Sequence, residues 1–116
     1  MRLTALCLGL LLALACTESE QVPADPSYAG DVQPLFNTSC VGCHGSGQQN
    51  GNYRLDSRPG AMGEGSDPVP NVIPGRPDSS TLYQRLDLGT MPPSGPWDGM
   101  KVQTVKNWIA EGARDN

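Results

Sequence analysis

Residues 40 to 44 read Cys-Val-Gly-Cys-His, and Gly45-Ser46-Gly47 follows directly. Two cysteines three apart with a histidine after the second can hold a metal ion, cycle as a dithiol, or carry a covalently attached haem. Each chemistry needs something different from the rest of the chain. A structural zinc site takes four protein ligands. A reactive dithiol sits at the start of a helix in a strand-helix-strand context, where the helix dipole lowers the thiol pKa. Haem attachment needs only two thiols on one turn, to form thioethers with the vinyl groups, and an imidazole next in sequence to reach the iron.

The choice depends on which cysteines the mature chain keeps. Arg2 precedes the apolar run Leu6-Cys7-Leu8-Gly9-Leu10-Leu11-Leu12-Ala13-Leu14-Ala15. That run is too short to span a bilayer as a helix and ends in small residues, so residues 1–15 read as a secretory signal. Ala13-Leu14-Ala15 fits an ordinary small-x-small cleavage site. The same stretch with Cys16 also resembles a bacterial lipobox, in which Cys16 becomes the lipidated first residue, and the polar Thr17-Glu18-Ser19-Glu20-Gln21 after it favours that route. Several acyl chains on one residue would anchor the domain firmly, whereas a single chain binds membranes only marginally. Cys7 leaves with the signal under either route and Cys16 sits at the cut, which leaves Cys40 and Cys43 inside the folded part.

Those two cysteines and His44, the sole histidine of the chain, fall one ligand short of a structural zinc site. They also lie at the end of a helical pattern with no strand before it, which disfavours a redox dithiol or a plain disulfide. Covalent haem c, with iron bound by His44, is what remains. A second axial ligand must come from elsewhere. Of Met62, Met91 and Met100, Met91 lies far enough beyond His44 to cross a haem face, and Thr90, Pro92 and Pro93 hold it on a rigid, non-helical segment. Met62 sits in a glycine-rich stretch and Met100 in the first turn of a helix. A lone methionine is otherwise core filler. His–Met ligation raises the reduction potential relative to two imidazoles, and with both axial places filled the expected role is electron carriage rather than catalysis.

The elements that must position these residues are helical. Asp31 as N-cap, Pro34 in the first turn and Val32, Leu35 and Phe36 at i, i+3, i+4 predict a helix running into Ser39-Cys40. A second helix is expected after Arg76-Pro77-Asp78, capped by Asp78 or Ser79, burying Leu82 and Leu86 and stopping at Gly89. The last is the best signalled: Asp98 caps it, Trp97 and Val102 form a hydrophobic staple, and Val102, Val105, Trp108 and Ile109 share one face that ends near Gly112. Between Gly45 and Gly75 the chain is irregular and rich in Gly, Pro, Asn and Ser. Such a long loop needs something besides side chains to organise it, and so small a domain is marginal without a bound group.

From about Asp31 to Ala113 the chain resembles a small class I cytochrome c, and within that group it is most similar to the planctomycete-type cytochrome c domains. The residues that carry the likeness are Val32-Gln33-Pro34-Leu35-Phe36, Cys40 to Gly45, Tyr53-Arg54-Leu55-Asp56, Val72 to Leu86, Met91-Pro92-Pro93, and Val102 to Ala113 with its Trp108-Ile109-x-x-Gly112-Ala113 ending. Where the family usually has a double glycine before its Arg-Leu-Asp, this chain has Gly51-Asn52-Tyr53. The resemblance implies an all-α fold of three to four short helices and long loops around one covalent haem. It also implies crossing N- and C-terminal helices with Phe36 against Trp108, and a haem between them and the Met91 segment. Residues 16–29 are then a flexible polar spacer and residues 30–116 the haem domain. Arg54, Arg58 and Arg76 are candidate partners for a haem propionate, Tyr53 and Leu55 are candidates to pack on the ring, and Trp97 is a candidate for the haem edge.

The expected protein is an exported mono-haem cytochrome, monomeric, held by lipid at Cys16 on the periplasmic side of a bacterial membrane or free in the periplasm. It passes single electrons between a donor and an acceptor protein that the sequence does not name. The alternative is a haem-based ligand sensor or small peroxidase-like enzyme with a labile sixth ligand, for which no distal histidine or arginine cluster is present. The whole chain carries a net charge of −4. Without Arg2 seven basic residues face twelve acidic ones, a net of −5, which excludes a nucleic-acid binder with its basic face and permits steering toward a basic partner.

Overall fold

The computed structural model describes residues 20–116. Those residues are all-α: helices α1 (Gln33–Ser39), α2 (Arg58–Ala61), α3 (Thr81–Asp87) and α4 (Gly99–Ala110), with no strand among the described residues beyond one isolated bridge between His44 and Gln49. Nor is any described helix long and apolar enough to cross a membrane. The segment read as a signal, with Cys16, lies outside the described residues.

The first helical run begins earlier than Asp31. Ser27 is its cap, accepting from the Gly30 N–H at 3.0 Å, and Tyr28–Val32 form a wide π-type turn that leads into α1. Asp31 sits inside that turn and reaches back to accept from the Ser27 N–H at 2.7 Å. The pair works as a reciprocal capping box stretched by one residue, because a π turn closes a longer ring than an α turn. Tyr28, Val32 and Phe36 recur every four residues and are buried, whereas Leu35 is only half-buried.

Helix α4 matches its sequence signals closely. The Asp98 carboxylate accepts from the Met100 and Lys101 N–H groups, each at 3.1 Å. The backbone N–H bonds and the neighbouring Lys101 ammonium hold this carboxyl below the usual range. Val105, Trp108 and Ile109 are buried, Val102 half-buried, and the helix is closed by Gly112 at φ +102°.

The aromatic contact between the two ends of the chain differs from the expected Phe36–Trp108 pair. Tyr28 is the ring that meets Trp108, at 5.3 Å between centroids, while Phe36 lies edge-on to Tyr28 at 6.4 Å and stacks on Trp97 at 6.5 Å. The reason is the early start of the helical run, which places Tyr28 between Phe36 and α4. The spacer boundary moves for the same reason. Pro26 is buried, the Pro23 carbonyl accepts from Asn107 Nδ2 at 2.9 Å, Asp25 pairs with Arg114, and the Tyr28 and Ala29 N–H groups donate to Asn116 at 2.9 and 2.8 Å. Residues 23–29 are thus part of the packed domain rather than a flexible lead.

Helix α3 follows a short 3-10 turn at Pro77–Ser79, and its N-cap position is Ser80, not Asp78 or Ser79. The Ser80 hydroxyl is turned inward: it accepts from the Ile73 N–H at 2.8 Å and donates to the Arg76 carbonyl at 2.9 Å. Burial decides here, since a fully buried hydroxyl must satisfy itself against nearby backbone. Gly89, at φ +71°, ends the helix as expected.

The long loop is better tied than its composition suggests. Ser57 caps the short α2 by accepting from the Gly60 N–H at 3.1 Å. Arg58 donates from Nε and Nη2 to the Ala113 carbonyl at 3.1 and 2.8 Å. Buried Asn71 donates to the Gly63 and Glu64 carbonyls at 3.0 and 2.8 Å.

Candidate functional site

The cysteine motif continues α1 for one more turn. Cys40 N–H donates to the Phe36 carbonyl at 2.8 Å, and Cys43 and His44 N–H donate to the Cys40 carbonyl at 3.1 and 2.8 Å. The three functional side chains therefore leave a single turn. Cys40 is 9% exposed, and burial pushes its thiol pKa up to about 11, whereas Cys43 is exposed. A raised thiol pKa is the opposite of what a redox dithiol needs. The two thiols are not joined, and among the described residues no three His, Cys, Asp or Glu side chains converge as a metal-binding cluster.

His44 is held from two sides. Its carbonyl accepts from the Leu55 N–H at 2.7 Å, and its Nδ1 lies 3.2 Å from the Tyr53 carbonyl. A carbonyl only accepts, so Nδ1 carries the proton and Nε2 keeps the free lone pair that a metal requires. Tyr53 is fixed in turn: it is 8% exposed, its ring lies edge-on to the imidazole at 5.9 Å, and its hydroxyl donates to the Ala61 carbonyl at 2.6 Å. Burial raises that phenol's pKa well above its ordinary value, so it stays a donor.

Cys40, Cys43 and His44 open into a cavity of about 250 Å³ whose apolar walls are Tyr53, Leu55, Leu82, Leu86, Pro92 and Pro93. Met91 lines the same cavity. Its segment hangs from one acceptor: the Thr90 and Met91 N–H groups and the Thr90 hydroxyl all donate to the Arg85 carbonyl, at 3.0, 3.2 and 3.2 Å. The other two methionines of the described chain are elsewhere. Met62 packs against the side-chain core and Met100 is exposed on α4.

The secondary candidates sort less simply. Tyr53 and Leu55 line the cavity. Arg54 is paired with Asp56, Arg58 is committed to the Ala113 carbonyl, and neither they nor Arg76 line the cavity. Trp97 does not reach it either: its ring stacks on Phe36 and faces a shallow cleft shared with Val102, the staple partner. Its buried Nε1 has no partner among the described residues. Asn71, Ser66, Asp67 and Arg85 also line the cavity, and the sequence reading passed over them. For Arg85 a signal existed: it stands at i+3 from Leu82 and directly before Leu86, at the border of the stripe that α3 buries. For Asn71 and Ser66, in an aperiodic loop, none did.

An apolar slot that collects two thiols, an imidazole with a free Nε2 and a thioether has the chemistry to hold a covalently attached prosthetic group. The residues present fit a haem: thiols for its vinyl groups, nitrogen and sulfur donors for its iron, and hydrocarbon walls for its ring. Residues 40–95 match the family model described as Planctomycete cytochrome C, and over that stretch the chain is similar to the planctomycete-type cytochrome c domains. No curated protein and no solved structure matches the chain. A domain of this kind implies covalent haem c with iron, and such domains generally serve electron transfer.

Proposed function

We propose that the protein is an exported mono-haem c-type cytochrome that carries single electrons between redox proteins in the periplasm or at its membrane. In this reading Cys40 and Cys43 hold the haem through thioethers, and His44 Nε2 and Met91 Sδ ligate its iron. The observation that carries it is the convergence of all four side chains on one apolar cavity. When bound, the haem supplies a one-electron couple at the iron.

The chain's own residues do the rest. The Tyr53 carbonyl fixes the His44 tautomer, and a donated Nδ1–H makes the imidazole a stronger ligand. The Arg85 carbonyl holds the Met91 backbone on its short segment before Pro92, which limits how far the thioether can withdraw. Leu55, Leu82, Leu86 and the Tyr53 ring keep water away, which favours the less charged reduced state and so raises the potential. Lipid at Cys16 would place the domain at the membrane surface, with residues 17–22 as the remaining tether.

The test is expression with a c-type cytochrome maturation system. The expected product keeps its haem through denaturation and shows a low-spin spectrum. Met91→Ala is expected to convert it to high spin. A wild-type spectrum that is already high spin, or rapid carbon monoxide binding by the reduced protein, would remove Met91 from the iron and favour a ligand sensor or peroxidase-like role. Metabolic labelling with a fatty acid, lost in Cys16→Ala, tests the anchor.

A further inference from the structure

The cavity is apolar except along one side. There the 3-10 turn Asn50–Asn52, the stretch Ser66-Asp67 and Arg85 on α3 meet: the Ser66 N–H donates to the Gly51 carbonyl at 2.8 Å, and Arg85 Nη2 lies 3.2 Å from Asp67 Oδ2. Asp67 and Arg85 are the charged residues of the lining, and Arg85 its one cation among the described residues. A guanidinium that lines a largely apolar cavity beside Leu82 and Leu86 needs a reason. Asp67 alone does not supply one. Both side chains of that pair are about half exposed, at 48% and 47%, and ion pairs so open to water contribute little.

A haem has an apolar ring and two carboxylates, so its carboxylates must leave an apolar slot where polar groups collect. Resting on the haem reading above, we propose that Arg85 is the residue that binds a haem carboxylate, and that Asp67 is an interchangeable partner that holds the guanidinium at the rim. Arg suits the task because its planar fork pairs a carboxylate through two parallel N–H bonds. The weak pair with Asp67 is easily exchanged for one inside the cavity mouth, where screening is less. Because the Arg85 carbonyl also carries Thr90 and Met91, one residue would link the carboxylate edge of the group to the Met91 segment. None of Arg54, Arg58 or Arg76 can do this from its position.

The experiment uses the full haem-loaded protein and compares R85Q, R85K, D67N and, as a control for net charge, R76Q, which changes an exposed arginine outside the cavity. Two readouts are taken: the midpoint potential, and the carboxylate bands in the redox-induced infrared difference spectrum. R85Q is expected to lower the potential, since losing a cation beside a carboxylate favours the more positive oxidised iron. R85K is expected to recover most of the shift, R76Q to show none, and D67N to raise the potential. A carboxylate band should move in R85Q yet persist in D67N, marking it as the haem's and not that of Asp67.

An R85Q shift no larger than that of R76Q, or a moving band that D67N abolishes, overturns the assignment while leaving the haem reading intact. If R85Q yields no loaded protein, D67N decides, and an unchanged potential there also overturns it. A wild-type protein without covalent haem would overturn both.

Discussion

Tyr53 gives the sharpest test of how the site is held. Its hydroxyl is buried and donates to the Ala61 carbonyl at 2.6 Å, while its own carbonyl accepts from His44 Nδ1. Tyr53→Phe removes one oxygen and keeps the ring, so no large cavity forms and the loss is that of a single buried hydrogen bond. The Ala61 carbonyl, at a residue with no solvent exposure, is left without that donor. Stranding a buried acceptor costs about 1–3 kcal/mol. In a domain of this length each kcal/mol lowers the melting temperature by about 4–8 °C. The haem-loaded variant should therefore melt at least about 4 °C below wild type by far-UV circular dichroism, with an unchanged visible spectrum at room temperature. Tyr28→Phe is the comparison: its hydroxyl donates to Gln33 at 2.5 Å, and Gln33 is only half-buried and keeps its own amide bonds to the Leu55 carbonyl and Asn37, so this variant should lose less. If Tyr53→Phe melts within 2 °C of wild type, or Tyr28→Phe loses more, the buried bond does not organise the loop behind His44.

Asp98 caps α4, so Asp98→Ala should lower the melting temperature by a few degrees, while Asp98→Asn, still an N-cap, should lower it less. The Asp98 carboxyl is held below its usual range, so its stabilisation is present above the unfolded-state pKa of about 4 and is lost as pH falls through the lower folded value. A thermal series between pH 5 and pH 2 should accordingly show a shallower acid loss in Asp98→Asn than in wild type. Trp108 is fully buried against Tyr28, and its Nε1 donates to the Arg114 carbonyl at 3.0 Å. Trp108→Ala should cost about 3–5 kcal/mol, a large part of the stability of any small domain, and urea titration would read it as a fall in midpoint.

The features legible in the sequence are those with local causes. Asp98 two residues before Met100, and the Val102, Val105, Trp108, Ile109 spacing, define α4 without reference to anything distant. The Cys40-x-x-Cys43-His44 spacing fixes three side chains on one turn, and Met91 before two prolines marks a rigid segment that the fold brings to the same cavity. What the sequence hid depends on partners far along the chain. Tyr28 reads as the end of a polar stretch until α4 supplies Trp108 and Asn116. Ser80 reads as a cap neighbour until burial directs its hydroxyl to Ile73 and Arg76. Arg58 is one loop arginine among several until the Ala113 carbonyl, 55 residues on, claims it.

The buried side chains form one continuous core, but its two halves differ in what they face, and the difference bears on why the motif stands where it does. On one side the rings of Tyr28, Phe36, Trp97 and Trp108 pack in a chain of aromatic contacts. On the other, Leu55, Leu82, Leu86 and the Tyr53 ring belong to the same core but also form the wall of the cavity. Cys40 joins the halves: it is one turn past Phe36 and lines the cavity. A group bonded there would be anchored beside the aromatic half while its ring covered the half that lines the cavity, which gives the irregular stretch from Gly45 to Gly75 a further surface to fold on. Cys40→Ala and Cys43→Ala together should then loosen the cavity half far more than the aromatic half. Amide exchange would rise around Leu55, Asn71 and Leu86, and least around Val105 and Ile109. Equal loss of protection in both halves would show instead that the domain folds as one unit whether or not the cavity is filled.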